Sequence, residues 1–262
     1  MSELPNAPQP RHPGIYLLPN LFTTGAMLAG YYAIIAAFSD RYTEGAIAVF
    51  VAALLDGLDG RVARLTNTQS DFGVQYDSLS DLVSFGLAPS LVMYSWALSE
   101  LKVYGPLVGK IGWAAAFVYA ACAAMRLARF NVQVGVIDKR YFQGLASPAA
   151  AGLMMSFVWT MEHHDIAGAD VAFVALGITL ASAILMVSRF RYWSFKSMPA
   201  SDRVPFVFAP IAMAIIVLLV INPQYLLLTI AGVYVASGPI MTLFGLRRRR
   251  GQRQMPRGPG AG

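Results

Sequence analysis

Charged residues are scarce in this sequence. Asp, Glu, Lys and Arg make up only 13% of its 262 residues, whereas 56% are hydrophobic. Soluble domains carry about 25% charged residues, so the composition excludes an ordinary soluble domain and favours a lipid environment. Cysteine is nearly absent as well, because Cys122 stands alone in an apolar stretch. A single cysteine excludes a disulfide framework, and its apolar surroundings are typical of a small core residue.

Long apolar runs dominate the chain. A helix that spans a bilayer needs about 20 mostly apolar residues, and eight runs approach or exceed that length. Their predicted bounds are 16–38, 43–64, 73–98, 107–130, 147–162, 168–188, 204–221 and 224–245. Turn residues separate several runs, namely Ser39-Asp40, Gly105-Pro106 and Asn222-Pro223. The pattern predicts an all-α polytopic membrane protein with about eight transmembrane helices.

The basic residues are distributed unevenly between the two sides that these eight spans define. With the N-terminus in the cytoplasm, 17 of the 20 lysines and arginines fall on the cytoplasmic side, and Arg41, Lys102 and Lys110 fall outside. Such a bias sets the orientation of membrane proteins, so both termini are predicted to be cytoplasmic. The net charge of +6 therefore reflects topology, and no nucleic-acid partner is expected. The Arg247–Arg250 run is expected either to contact anionic headgroups or to act as a stop signal.

The composition of the two ends differs from that of the spans. Residues 1–13 are polar and contain four prolines, which predicts a disordered cytoplasmic tail without a cleavable signal peptide. Residues 14–246 are predicted to form one transmembrane domain that carries the chemistry. Residues 247–262 are predicted to form a basic, disordered cytoplasmic tail.

Aspartates are concentrated in the second and third apolar runs. Asp56 and Asp59 are three residues apart, and Asp77 and Asp81 are four residues apart, so each pair lies on one helix face. The connection at 65–72 is short, which predicts that the two helices run antiparallel and side by side with both pairs facing each other. An aspartate at the centre of a membrane helix costs about 2.5–3.5 kcal/mol. Such residues are kept for function or are paired within a cavity.

Four converging carboxylates repel one another unless a cation lies between them. Oxygen ligands favour Mg²⁺ or Mn²⁺ over zinc, and a pair of such ions is a recurrent clamp for phosphoryl chemistry. We therefore predict a site for two divalent cations at Asp56, Asp59, Asp77 and Asp81. The alternative is a packing network in which Arg61 and Arg64 form ion pairs with the aspartates.

The small residues beside the aspartates indicate what approaches them. Gly60, Ala63 and Gly73 keep this face free of bulk, so that a nucleotide and its pyrophosphate can approach the backbone. Arg64 lies one turn beyond Gly60 and is predicted to pair with a phosphate oxygen.

Here the sequence resembles the CDP-alcohol phosphotransferases. The segment Asp56-x2-Asp59-Gly60-x2-Ala63-Arg64-x8-Gly73-x3-Asp77-x3-Asp81 matches the signature of that family at every fixed position. The wider stretch at 56–89, RLARFNV at 126–132 and FQGLASPAAAG at 142–152 resemble its bacterial, membrane-integral phosphatidylserine synthase branch, although relatives usually have proline where Ala146 stands.

The resemblance implies an enzyme with its active site facing the cytoplasm, in the inner membrane of a bacterium. The first three aspartates would hold the metals and the CDP pyrophosphate, and Asp81 would act as the general base. The reaction implied is attack of the L-serine hydroxyl on CDP-diacylglycerol, which gives phosphatidylserine and CMP. The resemblance also implies a homodimer within the lipid bilayer.

The acceptor needs a binding site of its own, because serine carries a carboxylate. Arg126 and Arg129 are three residues apart at the inner end of the fourth run, beside Asn131. They are interpreted either as a pocket for the serine carboxylate or a lipid phosphate, or as anchors on the cytoplasmic side. Two other functions remain open: the same chemistry with glycerol 3-phosphate, an inositol phosphate or choline as the acceptor, and transport of a cation that the aspartates coordinate.

Overall fold

The structure is a computed structural model that describes residues 17–66, 70–133, 141–188, 190–193 and 208–253. These residues form nine α-helices and two short strands. The helices are α1 (Leu17–Phe38), α2 (Tyr42–Thr66), α3 (Asp71–Asp81), α4 (Ala88–Trp96), α5 (Pro106–Gln133), α6 (Ser147–His163), α7 (Ala172–Val187), α8 (Phe208–Ile221) and α9 (Pro223–Arg253), and the strands are β1 (Tyr141–Gln143) and β2 (Arg191–Trp193). A π-helical segment, Leu82–Leu87, joins α3 to α4, and a 3₁₀ segment, Leu98–Tyr104, follows α4.

Helices occur at all eight predicted apolar runs. Four helical stretches in the described part of the chain are long and apolar enough to cross a membrane: Pro19–Phe38, Asp71–Tyr104, Pro106–Val132 and Pro223–Thr242. The helical, membrane-protein character of the chain is therefore confirmed, whereas eight crossings remain a prediction. The predicted basic tail begins later than expected, because α9 continues through 247–253. The predicted tail at 1–13 and residues 254–262 lie outside the described ranges.

The predicted turns separate the helices as their residue types require. Asp40 follows α1 with a positive φ of 57°, and Gly105 precedes α5 with a φ of 118°, a region that glycine adopts without strain. At the start of α3, the Ser70 hydroxyl accepts a hydrogen bond of 3.0 Å from the Gly73 N–H. That bond satisfies one of the free donors of the first helical turn.

Small residues allow α1 to pack closely against its neighbours. Ala26, Ala33 and Ala37 of α1 are buried together with Ala46 and Ala52 of α2. A Cβ atom built on Gly30 would lie only 2.7 Å from the Ser84 Cα atom of the π-helical segment, so only glycine fits there. Interfaces of small residues are typical of membrane helices, where close backbone approach replaces the hydrophobic drive that water provides.

The π-helical segment follows directly after Asp81. Its wider turn releases backbone groups from the regular helical pattern, and neighbouring side chains bond to it. The buried Tyr119 hydroxyl donates to the Phe85 carbonyl at 3.0 Å, and the Ser84 hydroxyl donates to the Ala26 carbonyl of α1 at 3.0 Å. Single π-helical turns of this kind are often found at functional sites.

A small antiparallel sheet ties distant parts of the chain to α9. Strand β1 pairs with β2, with Phe142 opposite Tyr192. The Tyr192 hydroxyl donates to the Val235 carbonyl at 3.2 Å. Pro239 lies inside α9 and lacks the N–H that would otherwise bond to the carbonyl four residues before it. Tyr192 therefore supplies the donor that Pro239 cannot, which was not predicted from the sequence.

Candidate metal centre and active site

The structure brings the predicted aspartates together. Carboxylate oxygens of Asp56, Asp59 and Asp77 all lie within 4.8 Å of one another. Asp59 is 5% exposed, and Asp56, Asp77 and Asp81 are half-buried. Asp81 joins the group through Asp56, whose carboxylate lies within hydrogen-bonding reach of both Asp77 and Asp81. The two helical pairs thus form one acidic cluster, as their spacing predicts.

Helix α1 holds the two halves of this cluster in place. The Thr23 hydroxyl lies 2.7 Å from the Asp59 Oδ2 atom and 3.1 Å from the Pro19 carbonyl. The contact to the carboxylate is the stronger of the two because it is shorter and charge-assisted. On the other side, the Ser80 hydroxyl of α3 donates to the Thr23 carbonyl at 3.0 Å. Helix α3 therefore packs mainly against α1, whereas the sequence predicted that it lies side by side with α2.

The donor set fits a hard divalent cation. The Asp77 Oδ1 atom is buried and has no hydrogen-bond partner among the described residues. A buried carboxylate oxygen left without a donor is costly, and a metal ion satisfies it. Because every potential ligand at the cluster is a carboxylate oxygen, the set suits Mg²⁺ or Mn²⁺ better than softer metals.

The alternative network of ion pairs is not found. Arg61 and Arg64 are exposed, and within the described ranges the ion pairs are Arg41 with Glu44 and Lys102 with Glu100. Neither arginine near the cluster pairs with one of its aspartates. No salt bridge among the described residues therefore neutralises the acidic cluster, which supports the metal interpretation.

Gly60 and Gly73, which are both predicted to contact the nucleotide, have different surroundings. No described atom lies within 4 Å of a Cβ built on Gly60, whereas a Cβ on Gly73 would lie 3.2 Å from the Ser70 hydroxyl. Gly60 thus faces open space beside the cluster, and Gly73 belongs to the capped first turn of α3. Ala63 is half-buried and Arg64 is exposed, so the last turn of α2 leaves room for a ligand.

The predicted anion pocket lies next to the same cluster. The Arg126 Nε–H donates to the Leu145 carbonyl, and its guanidinium interacts electrostatically with Asp81 of α3 and with Tyr234 of α9. Asn131 donates from its amide nitrogen to the Ser78 hydroxyl at 2.9 Å. Arg129 lies one turn from Arg126 and is half-buried. The inner end of α5 therefore reaches the helix that carries Asp77 and Asp81.

Three residues at the site were not predicted from the sequence. Thr23 supports Asp59, Ser80 fixes α3 on α1, and Tyr234 interacts electrostatically with Arg126, more than one hundred residues away in the sequence. The sequence gives a partial indication of Thr23, because it is one of three polar residues, with Asn20 and Thr24, near the start of a mostly apolar run. The sequence gives no indication of a role for Tyr234, since nothing in its segment distinguishes it from an interfacial aromatic residue.

A family model described as CDP-alcohol phosphatidyltransferase matches residues 16–185. The matched stretch begins at α1 and ends within α7, so it includes all four aspartates and Arg126. The chain belongs to the CDP-alcohol phosphatidyltransferase family. The resemblance of the aspartate signature is confirmed by this match.

Curated relatives narrow the comparison within this family. The CDP-diacylglycerol–serine O-phosphatidyltransferase of Helicobacter pylori strain J99 is 35% identical over 230 residues, which cover 88% of this chain and 92% of the relative. The archaetidylserine synthase of Methanothermobacter thermautotrophicus is 33% identical over 186 residues, which cover 70% of this chain and 72% of the relative. The CDP-diacylglycerol–serine O-phosphatidyltransferase of Mycobacterium bovis is 34% identical over 180 residues, which cover 66% of this chain and 60% of the relative.

Proposed function

We propose that this protein is a phosphatidyltransferase that converts CDP-diacylglycerol and L-serine to phosphatidylserine and CMP. The observation that carries this proposal is the convergence of Asp56, Asp59, Asp77 and Asp81 at the signature of a family whose aligned relatives act on serine by name. The proposed reaction is transfer of one substituted phosphate group between two oxygens, which needs positioning and charge stabilisation rather than an oxidant or a covalent cofactor.

In the proposed reaction, the serine hydroxyl oxygen attacks the phosphorus that carries diacylglycerol. The bond between that phosphorus and the bridging pyrophosphate oxygen breaks, and CMP leaves with the bonding electrons. Asp81 accepts the hydroxyl proton as the general base, a role that suits a carboxylate beside a cation. Its position supports this assignment, because Asp81 joins the cluster through Asp56 and interacts electrostatically with Arg126.

The four aspartates are the proposed ligands of two Mg²⁺ or Mn²⁺ ions. When bound, such ions supply positive charge that stabilises the pyrophosphate and the transferring phosphate group. Asp56, Asp59 and Asp77 hold the pyrophosphate end of the substrate through this charge. The open space at Gly60 admits the nucleotide beside Ala63, and the exposed Arg64 is available to a phosphate oxygen. Gly73 is the proposed nucleotide contact from the first turn of α3.

Arg126, Arg129 and Asn131 are the proposed pocket for the serine carboxylate or a lipid phosphate. The electrostatic interaction between Arg126 and Asp81 supports a pocket near the general base. Asn131 contributes through its bond to Ser78, since that bond holds the end of α5 against α3. An arginine pair is suited to a carboxylate because the planar guanidinium binds both oxygens.

The proposed topology has eight membrane crossings, with both termini and the active site in the cytoplasm. It is supported by helices at all eight apolar runs and by the bias of the basic residues toward one side. Residues 14–246 are the proposed catalytic domain, embedded as a homodimer in the inner membrane of a bacterium.

The deciding experiment follows CMP release from CDP-diacylglycerol by purified protein in detergent with Mg²⁺ or Mn²⁺. The acceptors to compare are serine, glycerol 3-phosphate, an inositol phosphate and choline. We expect release with serine alone, lost on chelation and restored by added metal. Release with a different acceptor would overturn the serine assignment but keep the site, and no release from folded protein would favour cation transport.

Substitution of Asp81 distinguishes a role as the general base from a role in substrate binding. We expect Asp81→Asn to abolish CMP release while it retains most of the protection that CDP-diacylglycerol gives against thermal unfolding. An active Asp81→Asn protein would show that Asp81 is not the base. Asp56→Asn serves as the matched comparison, because it is expected to lose the protection as well.

A further inference from the structure

A second charged site lies at the opposite end of the helices from the aspartates. A cavity of about 370 Å³ opens between the 3₁₀ segment and the first turns of α5, and its lining includes Tyr94, Ser99, Lys102, Lys110 and Trp113. Asp77 and Ser99 are 22 positions apart along one nearly continuous helical stretch. At about 1.5 Å per residue, the cavity is about 30 Å from the acidic cluster, which is the thickness of a bilayer core.

We propose that this cavity binds the phosphate headgroup of an anionic phospholipid. The observation that carries the proposal is that Lys102 and Lys110 line one cavity together with Trp113, although this end of the molecule is poor in basic residues. With Arg41, these two lysines are all the basic residues that the predicted topology leaves on that side. Two of the three therefore converge on one small volume.

The two lysines are only partly neutralised by the protein. Lys102 lies 3.5 Å from a Glu100 carboxylate, in a pair whose side chains are 68% and 37% exposed. No carboxylate in the described part of the chain forms an ion pair with Lys110. An exposed pair of this length contributes little, so a net positive charge remains in the cavity. A phosphate group has the charge and the acceptor oxygens that two ammonium groups require.

Two glycines of α5 pack closely against the 3₁₀ segment, and this packing fixes the distance between the backbones of Lys102 and Lys110. A Cβ on Gly109 would lie 3.1 Å from the Lys102 Cα atom, and a Cβ on Gly112 would lie 2.3 Å from the Leu98 carbonyl oxygen. Gly112 leaves no room for a larger residue, and Gly109 is tightly packed as well, so the 3₁₀ segment lies directly on α5. The backbones that carry Lys102 and Lys110 are therefore held together by packing, and the cavity is built into the fold.

The surface that continues from the cavity favours a lipid over free phosphate. Trp113 and Phe117 follow Lys110 on α5, are 60% and 61% exposed, and stack with ring centroids 6.0 Å apart. Tryptophan prefers the level of the headgroups, where its ring is partly apolar. A headgroup on the lysines would therefore direct its acyl chains along this aromatic stripe, a contact that inorganic phosphate cannot make.

The test uses tryptophan fluorescence of the full-length protein in phosphatidylcholine nanodiscs. Brominated phosphatidylglycerol is the probe, brominated phosphatidylcholine is the neutral comparison, and inorganic phosphate is added as a competitor. We expect phosphatidylglycerol to quench more strongly, and this excess to vanish in Trp113→Phe. Each of Lys102→Gln and Lys110→Gln should weaken the interaction about fivefold, equivalent to about 1 kcal/mol per charge.

Arg41→Gln is the matched control. Arg41 lies at the same end of the molecule, since the adjacent Tyr42 donates to the Ser95 carbonyl, but it does not line the cavity. The proposal is overturned if Arg41→Gln weakens quenching as much as the lysine variants, because the attraction is then a general surface effect. Equal quenching by both lipids, excess quenching that survives Trp113→Phe, or displacement by inorganic phosphate would overturn it as well. Unchanged CMP release with serine would show that the lysine variants are folded.

Discussion

Two helical stretches of similar hydropathy are buried to very different extents. In the stretch Asp71–Tyr104, 61% of the most apolar window is buried inside the protein, whereas in Pro223–Thr242 of α9 the share is 11%. Mean hydropathies of 1.4 and 1.5 do not distinguish them. Hydropathy therefore indicates which segments suit a membrane, but it does not indicate which of them the protein encloses.

The difference lies in polar contacts and small residues. The enclosed stretch is bonded to α1 through Ser80 and Ser84 and to α5 through Tyr119, and Gly30 of α1 lets Ser84 approach closely. In the absence of water such bonds and close packing are what hold membrane helices together. Helix α9 is bonded to β2 through Tyr192, and its first residues are bonded to Thr160 of α6 and to His164. The four predictions below change contacts of the enclosed region first and then the attachment of α9.

The largest effect is expected at the acidic cluster. Asp77→Asn removes a charge at a buried oxygen that has no described hydrogen-bond donor, so CMP release with serine should fall by at least about 100-fold, the scale of losing one stabilising group at a transition state. Asp71→Asn is the control, because Asp71 is on the same helix but is exposed and outside the cluster. A loss of less than tenfold for Asp77→Asn, or an equal loss for the control, would exclude Asp77 as a metal ligand.

A smaller effect is expected at Thr23, which contacts the acidic cluster without being one of its carboxylates. Thr23→Val keeps the shape of the side chain but removes the 2.7 Å hydrogen bond to Asp59, a proposed metal ligand. Losing a hydrogen-bond partner of a metal ligand typically costs 10–100-fold in metal affinity. The Mn²⁺ concentration for half-maximal activity should rise by about that factor, and saturating Mn²⁺ should restore most of the rate.

Thr24→Val is the control for this measurement. Thr24 bonds to the Asn20 carbonyl and to Tyr76 rather than to an aspartate. Its metal requirement should stay at the wild-type value. If Thr23→Val lowers the maximal rate without a change in metal requirement, Thr23 supports the fold and not the metal site.

The acidic cluster was predictable because its residues are close in sequence. The spacing of Asp56 with Asp59 and of Asp77 with Asp81 fixes one helix face for each pair, and only one short connection separates the pairs. The side chains that support the cluster were not predictable in the same way. Thr23 and Asp59 are 36 residues apart, and helical periodicity does not determine which faces of two distant helices meet.

The same reasoning explains which parts of the fold were missed. The π-helical segment Leu82–Leu87 lies within a run that the sequence predicts as one continuous span. Pro89 follows it by two residues in the first turn of α4, but a proline in the first turn is also compatible with an ordinary helix start. Strands β1 and β2 have three residues each, too few for an alternating pattern to be recognised. Both features depend on contacts with distant residues, which composition and periodicity do not encode.

Glycine substitutions test the enclosed and exposed helices directly. Gly30→Ala places a Cβ 2.7 Å from a backbone atom of Ser84, whereas Gly232→Ala in α9 meets no described atom within 4 Å. Overpacking costs about 1–3 kcal/mol, so Gly30→Ala should lower the unfolding free energy in mixed detergent by that amount. Gly232→Ala should be neutral or stabilise α9 by up to about 1 kcal/mol. Equal losses at both sites would mean that α9 is as tightly enclosed as α1.

The smallest effect is expected at the hydrogen bond between Tyr192 and α9. Here the exposed helix is held by a buried polar contact, as the enclosed stretch is. Tyr192→Phe keeps the buried ring but removes the hydroxyl that donates to the Val235 carbonyl, which Pro239 leaves without its helical partner. A buried carbonyl without a donor costs about 1–3 kcal/mol. In a Pro239→Ala background the alanine N–H can bond to that carbonyl, so the same substitution should cost less by about 1 kcal/mol.

A double-mutant cycle on the unfolding free energy measures this coupling. A coupling near zero would mean that the hydroxyl does not replace the missing N–H, and that Tyr192 acts on α9 through the packing of its ring against Gly238.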